Sequence, residues 1–210
     1  MQLNKPFATV APTLDGDVLT VLANADATFT IAQVQRILTT PSDEGIRKAL
    51  NRLTRQGVVL HGKVGRTHTY RLNTEHLAAE PITALARLNS TFLDRLERHL
   101  DEWGKALRYA AVFGSAATGR MTIDSDIDLL LVRTTASTDD TWWEQKTTDL
   151  AQQITAWTGN DARIIEYNDD ELHTATAAGE PLLQEVARDG LTVAGTRSWL
   201  ITELRSLNQR

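Results

Sequence analysis

Apolar residues recur at helical spacing over the first part of the chain and then give way to short apolar runs. The helical spacing predicts three helices, over residues 14–25, 31–38 and 44–56, with Thr30 as the N-cap of the second and a turn at Pro41 before the third. Two runs rich in β-branched and aromatic residues follow, with a predicted turn between Gly62 and Gly65. The first 74 residues are therefore predicted as three helices followed by a β-hairpin.

A further helical pattern fills residues 75–104. Side chains at helical spacing form one mainly apolar stripe along this segment, namely Ile82, Leu85, Leu88, Phe92, Leu96, His99 or Leu100, and Trp103. The spacing predicts a single connecting helix, with Pro81 in its first turn. An exposed apolar stripe is expected to pack against another apolar surface. Three surfaces are possible: the N-terminal helices, the C-terminal part of the chain, or the same helix in a second subunit, which would make a homodimer.

Residues 105–210 combine strands with helices. The run 129–132 is apolar without interruption, which is typical of a central strand covered on both faces. Further elements are predicted as helices over 142–157, 182–188 and 198–207 and as strands over 162–167 and 191–193. The chain is thus predicted to be α+β with three parts: residues 1–74, 75–104 and 105–210.

Composition and charge narrow the functional classes. With 41% hydrophobic and 23% charged residues, the chain has the composition of a soluble globular protein. It contains no cysteine, which excludes disulfides, thiolate metal sites and thiol nucleophiles. It shows neither an apolar leader segment nor a run long enough to cross a membrane. We therefore expect a cytoplasmic protein without a membrane partner.

The net charge of −5 is unevenly distributed along the chain. Residues 1–74 have 9 Lys and Arg against 5 Asp and Glu, a net charge of +4, whereas residues 75–210 have 13 against 22, a net charge of −9. The basic N-terminal part is suited to a polyanion, and the acidic remainder repels one unless metal ions intervene.

The strongest candidate for chemistry is a pair of aspartates at the start of an apolar run. If a strand begins at Asp126, alternation puts the side chains of Asp126 and Asp128 on one face and that of Ile127 in the core. Two neighbouring carboxylates repel each other unless a cation lies between them. Hard oxygen ligands of this kind suit Mg²⁺ or Mn²⁺ that arrives with the phosphates of a substrate.

The loop before this pair supplies candidate phosphate contacts. Gly114 and Gly119 let backbone N–H groups approach a phosphate closely, and the hydroxyl of Ser115 adds a donor. Arg120 in the same loop is a further candidate, with solvent as its alternative partner. Asp124 precedes the apolar run and is predicted to be a loop carboxylate that does not bind the metal.

This segment, GSAATGRMTIDSDIDLLLV, resembles the signature of the polymerase β-type nucleotidyltransferases, in particular their minimal members. The resemblance covers roughly residues 105–175. It implies a domain with a mixed sheet that transfers a nucleoside monophosphate from an NTP, such as ATP, to an acceptor hydroxyl. It also implies that Gly114 and Ser115 hold the β and γ phosphates, while Asp126 and Asp128 ligate the metal ions.

Active members of that family have a third carboxylate on a later strand, which helps to activate the attacking hydroxyl. Glu166 is the acidic residue of the predicted strand 162–167 and is the candidate here, although the family more often has Asp. A solvent-facing carboxylate is the alternative for Glu166, and Asp161, just before the strand, is the second candidate. If neither reaches the metals, the domain is expected to bind nucleotide and to catalyse poorly.

The helices and hairpin of residues 12–74 resemble the winged helix-turn-helix of bacterial DNA-binding regulators. In that arrangement the helix after Pro41 enters a major groove and the hairpin forms a wing that contacts phosphates. The candidates for contacts with DNA are Arg47, Lys48, Asn51, Arg52, Arg55, Lys63 and Arg66. A winged helix that serves only dimerisation or protein contact is the alternative.

The sequence as a whole predicts a Mg²⁺-dependent nucleotidyltransferase that carries a DNA-binding winged helix. Relatives in bacterial toxin–antitoxin and defence systems favour a protein or tRNA hydroxyl as the acceptor, with the winged helix regulating transcription of the protein's own operon. The alternative prediction is a transcriptional regulator whose second domain senses nucleotide without turning it over.

Overall fold

The computed structural model describes residues 1–134 and 139–207, and the chain forms two compact units. The N-terminal unit comprises residues 4–89 with Gln2, and the C-terminal unit begins at Ser90 and includes Met1 and Leu3. The last three residues of the predicted part 105–210 lie outside the described residues.

The N-terminal unit contains the predicted three helices and hairpin, followed by one more helix. After a short 3-10 helix (Pro6–Thr9), its elements are α1 (Leu14–Ala23), α2 (Ile31–Leu38), α3 (Asp43–Arg55), β1 (Val59–Val64), β2 (Thr67–Leu72) and α4 (Ala79–Ala86). The core is made by fully buried apolar residues of the three helices, such as Val18, Val34, Ile46 and Leu50. Thr30 caps α2 as predicted, in a capping box with Gln33.

The hairpin differs from the sequence prediction in its turn. The antiparallel ladder continues past Gly62 to the pair Val64 and Thr67, so the turn lies at Gly65 and Arg66, and Gly65 has φ of +61°. Backbone pairing does not require apolar side chains, so the apolar runs alone underestimated the length of the two strands. Phe29 forms an additional bridge with Tyr70, through backbone bonds of 2.7 and 2.8 Å.

The predicted single connecting helix over residues 75–104 is wrong. The segment forms two helices, α4 and α5 (Leu88–Asp101), separated at Arg87, whose φ of −97° and ψ of 12° leave the helical region. The apolar stripe is shared between two cores: Ile82 packs in that of the N-terminal unit, whereas Phe92 and Leu96 pack in that of the C-terminal unit. A continuous stripe therefore did not mean a continuous helix.

The C-terminal unit is built on a four-stranded mixed sheet, as predicted. Its strands are β3 (Leu107–Phe113), β4 (Ile127–Arg133), β5 (Ala162–Tyr167) and β6 (Leu191–Ala194), in the order β5-β4-β3-β6. The pairs β3 with β4 and β3 with β6 are antiparallel, and β4 with β5 is parallel. Its helices after α5 are α6 (Gly114–Ala117), α7 (Asp140–Thr158), α8 (Asp169–Ala177), α9 (Pro181–Asp189) and α10 (Arg197–Leu207).

Strand β4 is covered on both faces, which explains its uninterrupted apolar run. Ile127, Leu129 and Leu131 are fully buried in a first core together with residues of α5 and α7. Leu130 and Val132 are fully buried in a second core, on the opposite face, together with residues of α8, α9 and α10. Alternation along the strand places Asp128 on the face of the second core, at its edge.

None of the helices in the described ranges combines the length and the apolar character that are needed to span a bilayer.

Candidate active site

The two predicted metal-binding aspartates lie where β4 begins. The strand starts at Ile127, one residue later than the sequence suggested, so Asp126 ends the preceding loop and Asp128 is the second residue of the strand. Asp126 is exposed and Asp128 is half-buried. Asp124 is exposed in a turn of the loop, in agreement with its predicted role as a loop carboxylate.

Gly114 brings the predicted phosphate loop directly against Asp128. Phe113, the last residue of β3, pairs with Asp128 across the antiparallel ladder, and the chain then turns at Gly114 with φ of +66°. A Cβ atom at Gly114 would lie 2.5 Å from Oδ2 of Asp128. Only glycine therefore permits both this backbone conformation and this close approach of the carboxylate.

Hydrogen bonds within the loop fix Arg120 beside the same turn. The Thr118 hydroxyl donates to the carbonyl of Gly114 at 2.8 Å, and Nε of Arg120 donates to the Thr118 hydroxyl oxygen at 3.1 Å. The backbone N–H of Arg120 donates to the carbonyl of Ser115 at 3.0 Å. Arg120 and Gly119 are exposed, and within the described chain the Ser115 hydroxyl has no hydrogen-bond partner. These groups are accessible to an anion at the loop.

Asn160 holds the other end of the loop, a role that the sequence analysis missed. Its side chain is only 4% exposed, and its Nδ2 group donates to the carbonyls of Ser125 at 2.9 Å and Ile123 at 3.4 Å. The residue after it, Asp161, accepts the backbone N–H of Ile127 at 2.8 Å. Asp126 lies between these fixed points, so Asn160 positions it. The Gly159-Asn160 turn between α7 and β5 was the available signal in the sequence.

Burial and the charges of neighbouring side chains set the electrostatic environment of Asp128. Partial burial is the main cause that raises the pKa of its carboxyl above the usual value. The charge of Arg163 lowers this pKa, whereas the charges of Asp126 and Glu185 raise it. Glu185 is a half-buried residue of α9, which packs against β3 and α6. A divalent ion at this position would relieve the repulsion between the carboxylates.

The residues present fit a divalent ion that is brought by a nucleotide. Within the described residues, no group of three or more His, Cys, Asp or Glu side chains is arranged to hold a metal ion by itself. Two carboxylates at one strand end are nevertheless the donor set that Mg²⁺ uses when substrate phosphates and water complete its coordination. Asp126 and Asp128 would hold such an ion, and the Gly114 loop would hold the phosphates.

Glu166 does not belong to this site, contrary to the sequence prediction. It pairs in register with Leu131, whose side chain lies in the first core, so Glu166 projects from the face opposite to Asp128. Its Oε2 atom accepts a hydrogen bond from Nε1 of Trp143 on α7. Register decides which face a strand residue occupies, and the sequence did not define that register.

Arg163 takes the position on β5 that faces the aspartates. It pairs in register with Asp128 on the neighbouring parallel strand. The next residues confirm the faces: Ile164 packs in the first core with Leu129, and Ile165 packs in the second core with Leu130. Arg163 therefore lies beside Asp128 on the same face of the sheet.

The seven predicted DNA-contacting residues are all exposed, on α3 and on the hairpin. Three of them are engaged in ion pairs. Arg52 binds Asp15 of α1 through Nε and Nη2, the former at 2.8 Å, while Arg47 and Lys48 share Glu44 at 3.0 and 3.8 Å. Arg52 thus links α1 to α3. The other four, Asn51, Arg55, Lys63 and Arg66, take part in none of the ion pairs found among the described residues.

Comparison with known protein families agrees with the motif. Residues 99–185 match the family model described as "Polymerase beta, Nucleotidyltransferase". This part of the chain is a nucleotidyltransferase domain of the polymerase β type, and the predicted class of enzyme is thereby confirmed. The matched residues include the Gly114 loop, both aspartates and Arg163.

Comparison with solved structures finds further similarities. The chain is similar to a crystal structure of a toxin–antitoxin with AMP-PNP, at 21% identity over 56% of this chain and 86% of that chain, with a TM-score of 0.40. It is also similar to the crystal structure of the toxin–antitoxin MntA-HepT, at 20% identity over 57% and 86%, with a TM-score of 0.37. Likeness at these TM-scores carries no argument about this chain. Comparison with curated proteins gives no significant match.

Proposed function

We propose that this protein is a Mg²⁺-dependent nucleotidyltransferase that transfers a nucleoside monophosphate from an NTP to a hydroxyl group of a protein or RNA acceptor. Asp126 and Asp128 hold the metal ion. The turn at Gly114 and Ser115, with Gly119 and Arg120 behind it, binds the phosphates. A role in a toxin–antitoxin or defence system is part of this proposal and rests on the resemblance of the sequence.

The contact between Gly114 and Asp128 is the observation that carries the proposal. The phosphate loop follows β3 and the second aspartate begins β4, and these two strands pair so that the loop and the carboxylate touch. A phosphate held by the loop is therefore next to the carboxylates. Reactions at phosphorus depend mainly on positioning and on compensation of negative charge. The Gly114 loop would supply the positioning, and an ion held by the two aspartates would supply the compensation.

In the proposed reaction, an oxygen atom of the acceptor hydroxyl attacks the α-phosphorus of the NTP. A new P–O bond forms to the acceptor while the bond between the α-phosphorus and the bridging oxygen to the β-phosphorus breaks, and pyrophosphate leaves with that electron pair. The hydroxyl proton passes to water at the open edge of the site, where Asp126 is exposed. The Gly114 loop keeps the phosphates in line for the displacement, and bound Mg²⁺ compensates their charge.

Label transfer tests this function and identifies the class of acceptor. The purified full chain is incubated with each α-³²P-labelled NTP, Mg²⁺ or Mn²⁺, and total cell extract, beside an Asp126→Ala/Asp128→Ala variant. We expect one labelled NTP to label a protein or an RNA species in a reaction that depends on the two aspartates. Nucleotide binding without transfer from any NTP would support the alternative, a regulator that senses nucleotide.

We also propose that the N-terminal unit binds DNA as a winged helix. Support comes from the order of its elements, three helices followed by a hairpin, and from the exposed basic residues on α3 and the hairpin. Lys63 and Arg66, at the end of the hairpin, have no acidic partner among the ion pairs of the described residues. They are better placed for phosphate contacts than Arg52, which is held by Asp15.

The salt dependence of DNA binding tests this assignment. Each phosphate contact contributes about 0.9 to the slope of log K against log salt concentration. We expect Lys63→Ala/Arg66→Ala to weaken binding and to reduce the slope by about 1.8. Arg98→Ala/Lys105→Ala removes the same charge from the C-terminal unit and is expected to leave the slope unchanged. An equal slope in both double variants would favour the dimerisation alternative.

A further inference from the structure

Arg163 is the residue of β5 that lies level with Asp128 in the sheet. A residue of β5 reaches the aspartates only if it shares the face of Asp128 and lies level with it in the sheet. Arg163 satisfies both conditions, because it is in register with Asp128 and because Ile165, on the same face, packs beside Leu130. The strand therefore presents a guanidinium, and not a carboxylate, level with Asp128.

The guanidinium of Arg163 is available to a ligand. The residue is exposed, and no ion pair of the described residues includes it. Its charge acts on the Asp128 carboxylate because the two residues are neighbours in the sheet. A planar guanidinium matches the oxygen atoms of a phosphate and can bind two of them at once.

The charges around Asp128 favour the binding of one divalent ion over two. Asp126, Asp128 and, from α9, Glu185 contribute negative charge, and Arg163 contributes a fixed positive charge next to Asp128. A second divalent ion close to Arg163 would be repelled, whereas the triphosphate of a nucleotide is attracted both to the guanidinium and to a first ion.

We propose that the site binds a single divalent ion with the NTP and that Arg163 takes the place of the second ion by binding the triphosphate. This inference rests on the proposed nucleotidyl transfer and adds a substrate-binding residue to it. It predicts that the side chain at position 163 determines how many divalent ions bind with each nucleotide.

The test measures ion stoichiometry and nucleotide affinity in the full chain. Bound Mn²⁺ is counted by electron paramagnetic resonance with a non-hydrolysable NTP analogue, and the Kd of the analogue is measured by calorimetry. We expect one Mn²⁺ per analogue in the wild type and two in Arg163→Asp, and an affinity about ten- to a hundredfold weaker in Arg163→Ala. Arg98→Ala, whose Nε donates to Asp94 of its own helix, is the control and is expected to match the wild type.

Two Mn²⁺ ions per analogue in the wild type, an unchanged affinity in Arg163→Ala, or a single ion in Arg163→Asp would overturn the proposal. An Asp126→Asn/Asp128→Asn variant separates this failure from failure of the proposed function. If that variant binds Mn²⁺ and the analogue as tightly as the wild type does, the proposed site is wrong and the proposal about Arg163 fails with it. If that variant no longer binds Mn²⁺ or the analogue, while Arg163→Ala binds the analogue with wild-type affinity, only the assignment of Arg163 is wrong.

Discussion

Replacing Asp128 by Asn is expected to reduce the rate of nucleotidyl transfer by about 10³-fold or more. The reason is that the metal ion would lose a charged ligand, and several kcal/mol of charge compensation at the phosphates would be lost with it. The substitution keeps the size of the side chain and its place beside Gly114, so the sheet should be undisturbed. The rate of label transfer under single-turnover conditions measures the effect, and the thermal unfolding midpoint shows whether the fold is retained.

Glu166→Gln is the matched control, because it also neutralises one carboxylate of the domain. Glu166 lies on the opposite face of the sheet, and its amide counterpart still accepts the hydrogen bond from Trp143. We expect its transfer rate to stay within about twofold of the wild type. A loss as large as that of Asp128→Asn would mean that Glu166 reaches the reacting phosphate after all, and that the site is arranged differently.

Gly114→Ala is expected to reduce transfer by about 10²-fold, the effect of a misplacement of roughly 1 Å at the reacting groups. The new Cβ atom would meet Oδ2 of Asp128 at 2.5 Å, and the carboxylate would have to swing away. The backbone at Gly114 has φ of +66°, so the substitution also strains the fold by about 1–2 kcal/mol.

Gly179→Ala separates these two effects. Gly179, which follows α8 and is not part of the proposed site, has nearly the same backbone conformation, with φ of +70°, but a Cβ atom there would have nothing within 4 Å. We expect similar losses of thermal stability in both variants and loss of nucleotide-dependent Mn²⁺ binding only in Gly114→Ala. Equal loss of binding in both variants would show that backbone strain, and not the contact with Asp128, controls the site.

The sequence was sufficient for those parts of the site that lie within one continuous segment. The Gly-Ser turn, the aspartate pair and the strand between two cores all belong to residues 110–132, where spacing and alternation act locally. The bounds of α2 and β5 were also predicted from such local patterns, as was the cap at Thr30.

Features that depend on pairing between distant segments were not predictable in the same way. The choice between Glu166 and Arg163 depends on the register of β5 against β4, and a shift of one residue exchanges the two faces. Helix α8 was missed because its apolar stripe is weak, with Leu172 and Thr176 as its buried residues. The capping box formed by Asn168 and Glu171 was the local signal for its start.

The most direct measurement of the central claim is a crystal structure of the full chain with Mn²⁺ and a non-hydrolysable NTP analogue, with the ion located by its anomalous scattering. We predict an anomalous peak within coordination distance of carboxylate oxygens of both Asp126 and Asp128, with the triphosphate against the turn at Gly114 and Ser115. A peak beside Glu166, or a nucleotide bound away from this turn, would contradict the account.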